Sequence, residues 1–362
     1  MRPGQRLASV VSPAPRSTWL DVLGTSPQRI AFQRPSWLDC VCEVGGYEDV
    51  SRLYVTAEGR SLVLPLVARH GFVHALRIAA SLPAQWGFAG IIAPDGVRPE
   101  DVALVLEDLR AHTALRTSLK PGPLAAAAWE AAAPVGVPRV RHTVHVLDLE
   151  GGFDVVWRKR FSSNTRNKMR KAQRSSVTIT QDPPSRAIAI FYQLYLRSIE
   201  RWASKEREPA AIARLRWRWQ RREPLEKFRA VARGLGGDLR TWLAWVDGRP
   251  AAAILVIVDG PNAVYWRAAM DVALAGPARA NYLLQLRAIE DACAAGCRYY
   301  HMGESSPSIA EFKSAFGARP WRYDEYRLEA LPLTSVVERV DAARGQLRDR
   351  FLADRSATRV PR

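Results

Sequence analysis

Lys313 stands between Phe312 and Phe316 in the segment YYHMGESSPSIAEFKSAFG, residues 299–317, where an apolar strand breaks at Gly-Glu-Ser-Ser-Pro before a short helix. Lysine is scarce in this chain, seven residues against an arginine-dominated total of 53 Lys and Arg, so its placement here is informative. A compact ammonium on a flexible stem can be aimed at a developing oxyanion and can shift its pKa when buried, whereas a guanidinium is bulkier and stays charged. The competing reading is an amphipathic helix whose lysine snorkels past two core phenylalanines. Upstream, His301 and Glu304 flank the Gly303 break, and Asp324 and Tyr326 lie on the following strand. Any of these could relay a proton, directly or through water, although a glutamate at a break also serves as a loop or capping residue. Proton loss to solvent would leave catalysis to orientation and charge stabilisation alone.

A formal net charge of +17 and a pI near 10.3 call for an anionic partner or for a compositional origin in an arginine- and alanine-rich chain. Composition does not explain clustering. From Arg158 to Arg174 (RKRFSSNTRNKMRKAQR) eight residues are basic and none is acidic. The segment is helix-competent and carries Ser162, Ser163 and Asn164 as caps, which points the cluster as a whole toward phosphates, against the alternative of a solvated face. A second dense region, Arg214 to Arg229, interleaves Arg216, Arg218, Arg221 and Arg222 with Trp217 and Trp219. That pattern suits bases stacked on aromatics, or tryptophans of a helix core.

The elements that must position these residues read as mixed α and β in each half. In the first, Pro35–Val44 is a helix, Arg52–Val55 and Leu62–Ala68 are strands, and a turn at His70 and Gly71 leads to another. The loop SLPAQWGFAG is rich in small residues and suits a cleft lining. Helices over 99–112 and 124–133 bracket a strand at 114–119, and Arg139–Leu149 alternates as a strand into Gly151 and Gly152, where the domain boundary is placed. In the second, Val177–Thr180 is a strand, Ser185–Lys205 a long helix, and 209–234 further helix broken near Glu223 and Pro224. Strands at 239–246, 250–258 and 263–270 are joined by hairpin turns at Asp247-Gly248 and Asp259-Gly260-Pro261-Asn262. A helix over 279–295, a strand over 297–302, the Lys313 helix and a strand near 322–329 complete the order. The predicted domains are 1–150 and 151–331, with 332–362 a basic helix or tail.

Three segments resemble the FemAB peptidyltransferases and the related CelD-like acetyltransferases: SSNTRNKMRKAQRSSVTI, ARANYLLQLRAIEDACAAGCRYYHMGES, and FKSAFGARP, which is similar to that family's Phe-Lys-x-x-Phe-Gly signature. FQRPSWLDCV resembles its opening, so the likeness spans about residues 30–330. The resemblance implies two tandem GNAT-like domains, each a mixed, largely antiparallel sheet flanked by helices. It also implies acyl or aminoacyl transfer from a phosphate-bearing donor, acyl-CoA or aminoacyl-tRNA, to an amine such as a small molecule or cell-envelope precursor. On it, Lys313 is the lysine that stabilises the tetrahedral intermediate or the donor's terminal end, Arg166 a phosphate ligand with Lys168, Arg170 and Lys171 nearby, and Phe312 and Phe316 set the lysine's position. The pyrophosphate-cradling loop of acetyl-CoA users is missing, AGPARA at 275–280 lacking the spacing. The alternative expectation is an RNA-binding protein on a decayed acyltransferase scaffold.

No run of about 18 apolar residues offers a spanning helix, and the N-terminus lacks a signal-peptide core. A cytoplasmic monomer is expected, with peripheral membrane contact left open. Cys40, Cys42, Cys293 and Cys297 fit neither a zinc site nor a CxxC pair, so the expectation is free thiols, no metal and no tightly bound cofactor.

Overall fold

Tertiary structure was obtained as a computed structural model that describes residues 6–69, 77–111, 114–204, 223–304 and 307–330. The His70-Gly71 turn, the Trp and Arg interleaving at 214–222, and the tail 332–362 lie outside the described residues.

Fourteen strands are described: β1 (Leu7–Val11), β2 (Glu48–Asp49), β3 (Arg52–Thr56), β4 (Ser61–Leu64), β5 (Val67–Arg69), β6 (Ile78–Ala80), β7 (Arg116–Leu119), β8 (Arg139–Asp148), β9 (Val177–Gln181), β10 (Leu239–Val246), β11 (Arg249–Asp259), β12 (Asn262–Met270), β13 (Tyr299–His301) and β14 (Arg319–Glu329). β1, β3 and β4 form a small sheet; the rest form one eleven-stranded sheet in the order β2-β5-β6-β7-β14-β8-β13-β12-β11-β10-β9. β1 and the helix Arg16–Thr25 were not anticipated from the sequence.

β11 is buried along nearly its whole length because helices cover both faces of the sheet there. Ala253, Leu255 and Ile257 face one core with Phe191 and Phe228, from the helices Pro184–Ser204 and Leu225–Leu235. Ile254, Val256 and Val258 face the other, with Met169, Leu284 and Phe316 from the basic helix Ser163–Gln173, the helix Ala280–Ala294 and the lysine helix Pro307–Ala315. A two-sided core is why this strand reads as an unbroken apolar run rather than an alternation, and each fully buried Leu or Phe contributes about 1.5–3 kcal/mol.

Two features of this sheet place the site. β12 and β13 run parallel for only three residue pairs, Asn262↔Tyr299, Ala263↔Tyr300 and Val264↔His301. β12 then continues to Met270, while the other strand, shorter than the predicted 297–302, turns away at Gly303, whose φ of +72° suits glycine. The halves also exchange their last strands: β8 pairs antiparallel with β13, and β14 pairs antiparallel with both β7 and β8. Away from these strands, Arg34 of the first half bonds Asp238 and Asp259 of the second, at 2.6 Å and 2.7 Å. No described helix is long and apolar enough to cross a membrane.

Candidate functional site

The break after β13 gathers the candidate residues. Lys313 is 3 % exposed, and its Nζ donates to the backbone carbonyls of Gly303 at 2.9 Å and Glu304 at 2.8 Å. Burial pulls its pKa down to about 8. Among the described residues no carboxylate lies within ion-pair distance of this ammonium, so it is a buried cation balanced by carbonyl dipoles and by the more distant charge of Glu304.

The FKSAFG motif has a physical basis in how this lysine is held. Phe316 is fully buried against Phe161 at 5.4 Å and Tyr282 at 5.8 Å between ring centres, and Phe312, partly buried, meets Tyr282 edge-on at 5.3 Å. Gly317 has φ of +82°, and a Cβ there would lie 2.4 Å from the Arg160 carbonyl oxygen, so only glycine fits this turn. The turn is fastened to the basic segment by the Ser162 N–H, which donates to the Ala315 carbonyl at 3.1 Å.

The basic helix is capped by Ser162, whose side chain accepts from the Thr165 N–H at 3.1 Å. It buries Thr165, Met169 and Ala172, which leaves its charges on the outer face. These charges have different partners. Arg166 turns back, one terminal guanidinium nitrogen (Nη1) donating to the carbonyls of Trp157, Arg158 and Phe161 at the end of the π-helical turn Val156–Arg160. Lys168 donates to the Tyr282 hydroxyl at 3.2 Å, joining the basic helix to the aromatics around Lys313. Arg170 and Lys171 line an open groove of about 740 Å³ together with Asn167, Arg174, Pro277 and Arg279. The structure thus assembles two linked places: a cationic groove at the start of the helix Ala280–Ala294, and the lysine beside the strand break.

AGPARA is not an extended cradle. It falls across the end of a short helix, Val272–Ala278, and the start of the next, with Arg279 left-handed between them. Backbone N–H groups there are used within the chain: Ala275 donates to Asp271 and Arg279 to Gly276.

The sequence-read proton carriers sit in contrasting settings. His301 is 1 % exposed, pairs through Nε2 with Asn262 Oδ1 at 2.7 Å, and has its pKa pushed down to about 4 by burial. Its setting is a core one. Glu304 is half-exposed at 48 %, and its Oε1 meets His142 Nδ1 at 2.9 Å, Lys120 Nζ at 3.3 Å and the Tyr323 hydroxyl at 3.3 Å. The His142 hydrogen bond, helped by the Lys120 charge, holds its carboxyl near 2 despite partial burial. A carboxylate so stabilised is a weak proton acceptor near neutrality. Asp324 pairs with Arg141, and Tyr326 stacks on Trp129 in the first half's core.

Sequence reasoning missed His142 and His145. His145 is buried on β8, exchanges backbone hydrogen bonds with Met302 and Gly303, and has its pKa lowered by burial and then by the Lys313 charge. The alternation of β8 marks a strand but gives no sign of what it lies beside, since its neighbours come from residues 299–329.

The family model described as an acetyltransferase (GNAT) domain matches residues 159–314. The crystal structure of FemX shares 12% identity with this chain and covers 91% of it and 100% of FemX, with a TM-score of 0.65. A conserved protein of unknown function from Bacteroides thetaiotaomicron shares 14% identity over 88% of this chain and 99% of its own, with a TM-score of 0.50. No curated protein matches the sequence. At such identities the structural likeness speaks for fold alone. The chain is therefore a tandem GNAT-fold protein, FemX-like in architecture, with a GNAT domain over residues 159–314.

Proposed function

We propose that this protein is an N-acyltransferase in which the Lys313 ammonium stabilises the oxyanion formed as an amine attacks the donor's carbonyl. The observation that carries the reading is the ion balance at Lys313: a buried cation with two backbone acceptors and no described carboxylate partner. Such a charge is costly to bury, and it is of most use where negative charge appears only in the transition state. The amine nitrogen forms the new C–N bond and the donor's C–S or C–O bond breaks. The amine's proton ends on the departing sulfur or oxygen, directly or through water.

The cationic groove supports a phosphate-bearing donor. Arg170, Lys171, Arg174 and Arg279 spread around it, while the amides of Ala275 and Arg279 are already bonded within the chain. That balance favours a polyanionic donor, an aminoacyl-tRNA, over a pyrophosphate gripped by backbone amides as in acyl-CoA enzymes. We therefore read the reaction as aminoacyl transfer to an amine acceptor, in the cytoplasm.

The deciding experiment incubates purified protein with a labelled aminoacyl-tRNA or a labelled acyl-CoA and a panel of amines, with and without RNase. Label reaching an amine from the tRNA donor, and abolished by RNase, is the expected result. Transfer from acyl-CoA that ignores RNase overturns the donor assignment. RNA binding that loses strength with salt, unaccompanied by transfer from either donor, overturns the enzyme reading.

A further inference from the structure

An ionised carboxylate accepts hydrogen bonds and has none to give. His142 meets one at each ring nitrogen: Nδ1 lies 2.9 Å from Glu304 Oε1 and Nε2 lies 3.4 Å from Glu325 Oε2. A neutral imidazole would point a lone pair at one of them; an imidazolium satisfies both. The ring is largely covered, 17 % exposed, and stacks on Tyr323 at 5.3 Å between centres with 20° between planes.

The groups around it come from four elements. Lys120, just after β7, reaches Glu304 Oε1 at 3.3 Å, and so does the Tyr323 hydroxyl from β14. Arg327, also on β14, holds the other oxygen of Glu325 at 2.9 Å. Two carboxylates thus face Lys120, Arg327 and His142, and Lys313 lies beyond the backbone of Glu304. The two ends of Glu304 do different things. Its side chain is fastened by His142, Lys120 and Tyr323, while its backbone carbonyl takes the Lys313 ammonium at 2.8 Å.

Resting on the acyl-transfer reading, we propose that His142 is a positioning residue: as an imidazolium strapped between Glu304 and Glu325 it fixes the Gly303-Glu304 turn, and through that turn the place of the Lys313 ammonium. His142 touches neither the lysine nor a reacting atom in this arrangement. It acts through the chain that supplies the lysine's acceptors. The hydrogen bond to Glu304, then that to Glu325, raises the imidazole above its ordinary range. The strap is therefore complete below that raised value and is lost as pH rises through it.

The test uses the full chain and reads two independent signals. Imidazole NMR across pH, with the His142 resonances identified by their absence from His142→Gln, is expected to show a pKa above that of free histidine that drops in both Glu304→Gln and Glu325→Gln. Single-turnover transfer in His142→Gln is expected to fall about tenfold at neutral pH, with donor affinity unchanged and the step assigned to the His142 proton gone from the pH profile. A His142 pKa at or below the free value overturns the strap, whether or not the protein transfers acyl groups. A raised pKa with an unchanged rate and profile in His142→Gln overturns the positioning role. Absence of transfer in the wild type at every pH, with a raised pKa, removes the acyl-transfer reading on which the role rests and leaves His142 a seam contact only.

Discussion

Lys227 and Lys313 are both buried, 2 % and 3 % exposed, and burial draws both down to a pKa of about 8, yet their surroundings assign them opposite work. Lys227 is ion-paired with Glu223, donates to the Gln85 carbonyl at 2.8 Å, and lies 4.0 Å from the centre of the Trp86 ring. Arg267 completes the pair with a fork onto the same carboxylate, at 2.6 and 2.7 Å. That lysine is a rivet between the 81–90 loop and the second half. Lys313 has carbonyls instead of a carboxylate, and the nearby carboxylate of Glu304 is claimed by Lys120, His142 and Tyr323. Burial and a shifted pKa alone therefore do not mark a catalytic lysine. What separates the two is whether the charge is already spent.

The comparison can be broken first at the rivet. Lys227→Met should cost roughly 2–3 kcal/mol in denaturant unfolding, less than a fully orphaned buried carboxylate because Arg267 remains on Glu223. A loss of transfer without a loss of stability would erase the distinction between the two lysines.

pH sharpens it next. Both lysines are harder to protonate folded than unfolded, so between about pH 8 and 10.5 the unfolded chain binds more protons and each site's contribution to stability rises with pH. The stability of the wild type relative to Lys313→Met should improve across that window. Turnover should move the other way, falling as pH rises through about 8, because the oxyanion needs the protonated form. Stability and activity that fall together would contradict this assignment.

The groove gives a smaller effect. Alanine at Arg170, Lys171 or Arg174 should weaken donor binding by about 1 kcal/mol or less each and lower the slope of affinity against salt by about one. Arg166→Ala should instead register as lost stability, because its partners are the carbonyls of Trp157, Arg158 and Phe161. The smallest expected change is at the exposed Arg158, whose pairing with Asp154 is long at 3.4 Å and whose removal should leave both readouts nearly still.

What the sequence allowed to be read follows the range of the interactions. The lysine helix, the capped basic helix and the hairpins β10–β11 and β11–β12 are written locally, in Phe312, Phe316 and Gly317, in Ser162, and in Asp247-Gly248. A basic run shows charge but not direction, so the carbonyl acceptors of Arg166, which depend on the π-helical turn before it, were not legible. His142 and His145 were silent because β8 meets β13 and β14 only after the halves exchange strands, and the partner of His142 on β14 lies 183 residues away. Lys227 lay within the 214–229 stretch, read for its Trp and Arg interleaving rather than for a buried ion pair, and only the fold turns it inward.

The central claim is that the unspent charge of Lys313 does its work in the transition state. Single-turnover transfer by Lys313→Met, with donor affinity measured in parallel, tests it most directly. The account predicts a rate lower by about 10²–10³ at nearly unchanged donor affinity and fold. A variant that transfers at the wild-type rate, or that loses activity only in proportion to lost donor binding, would contradict it.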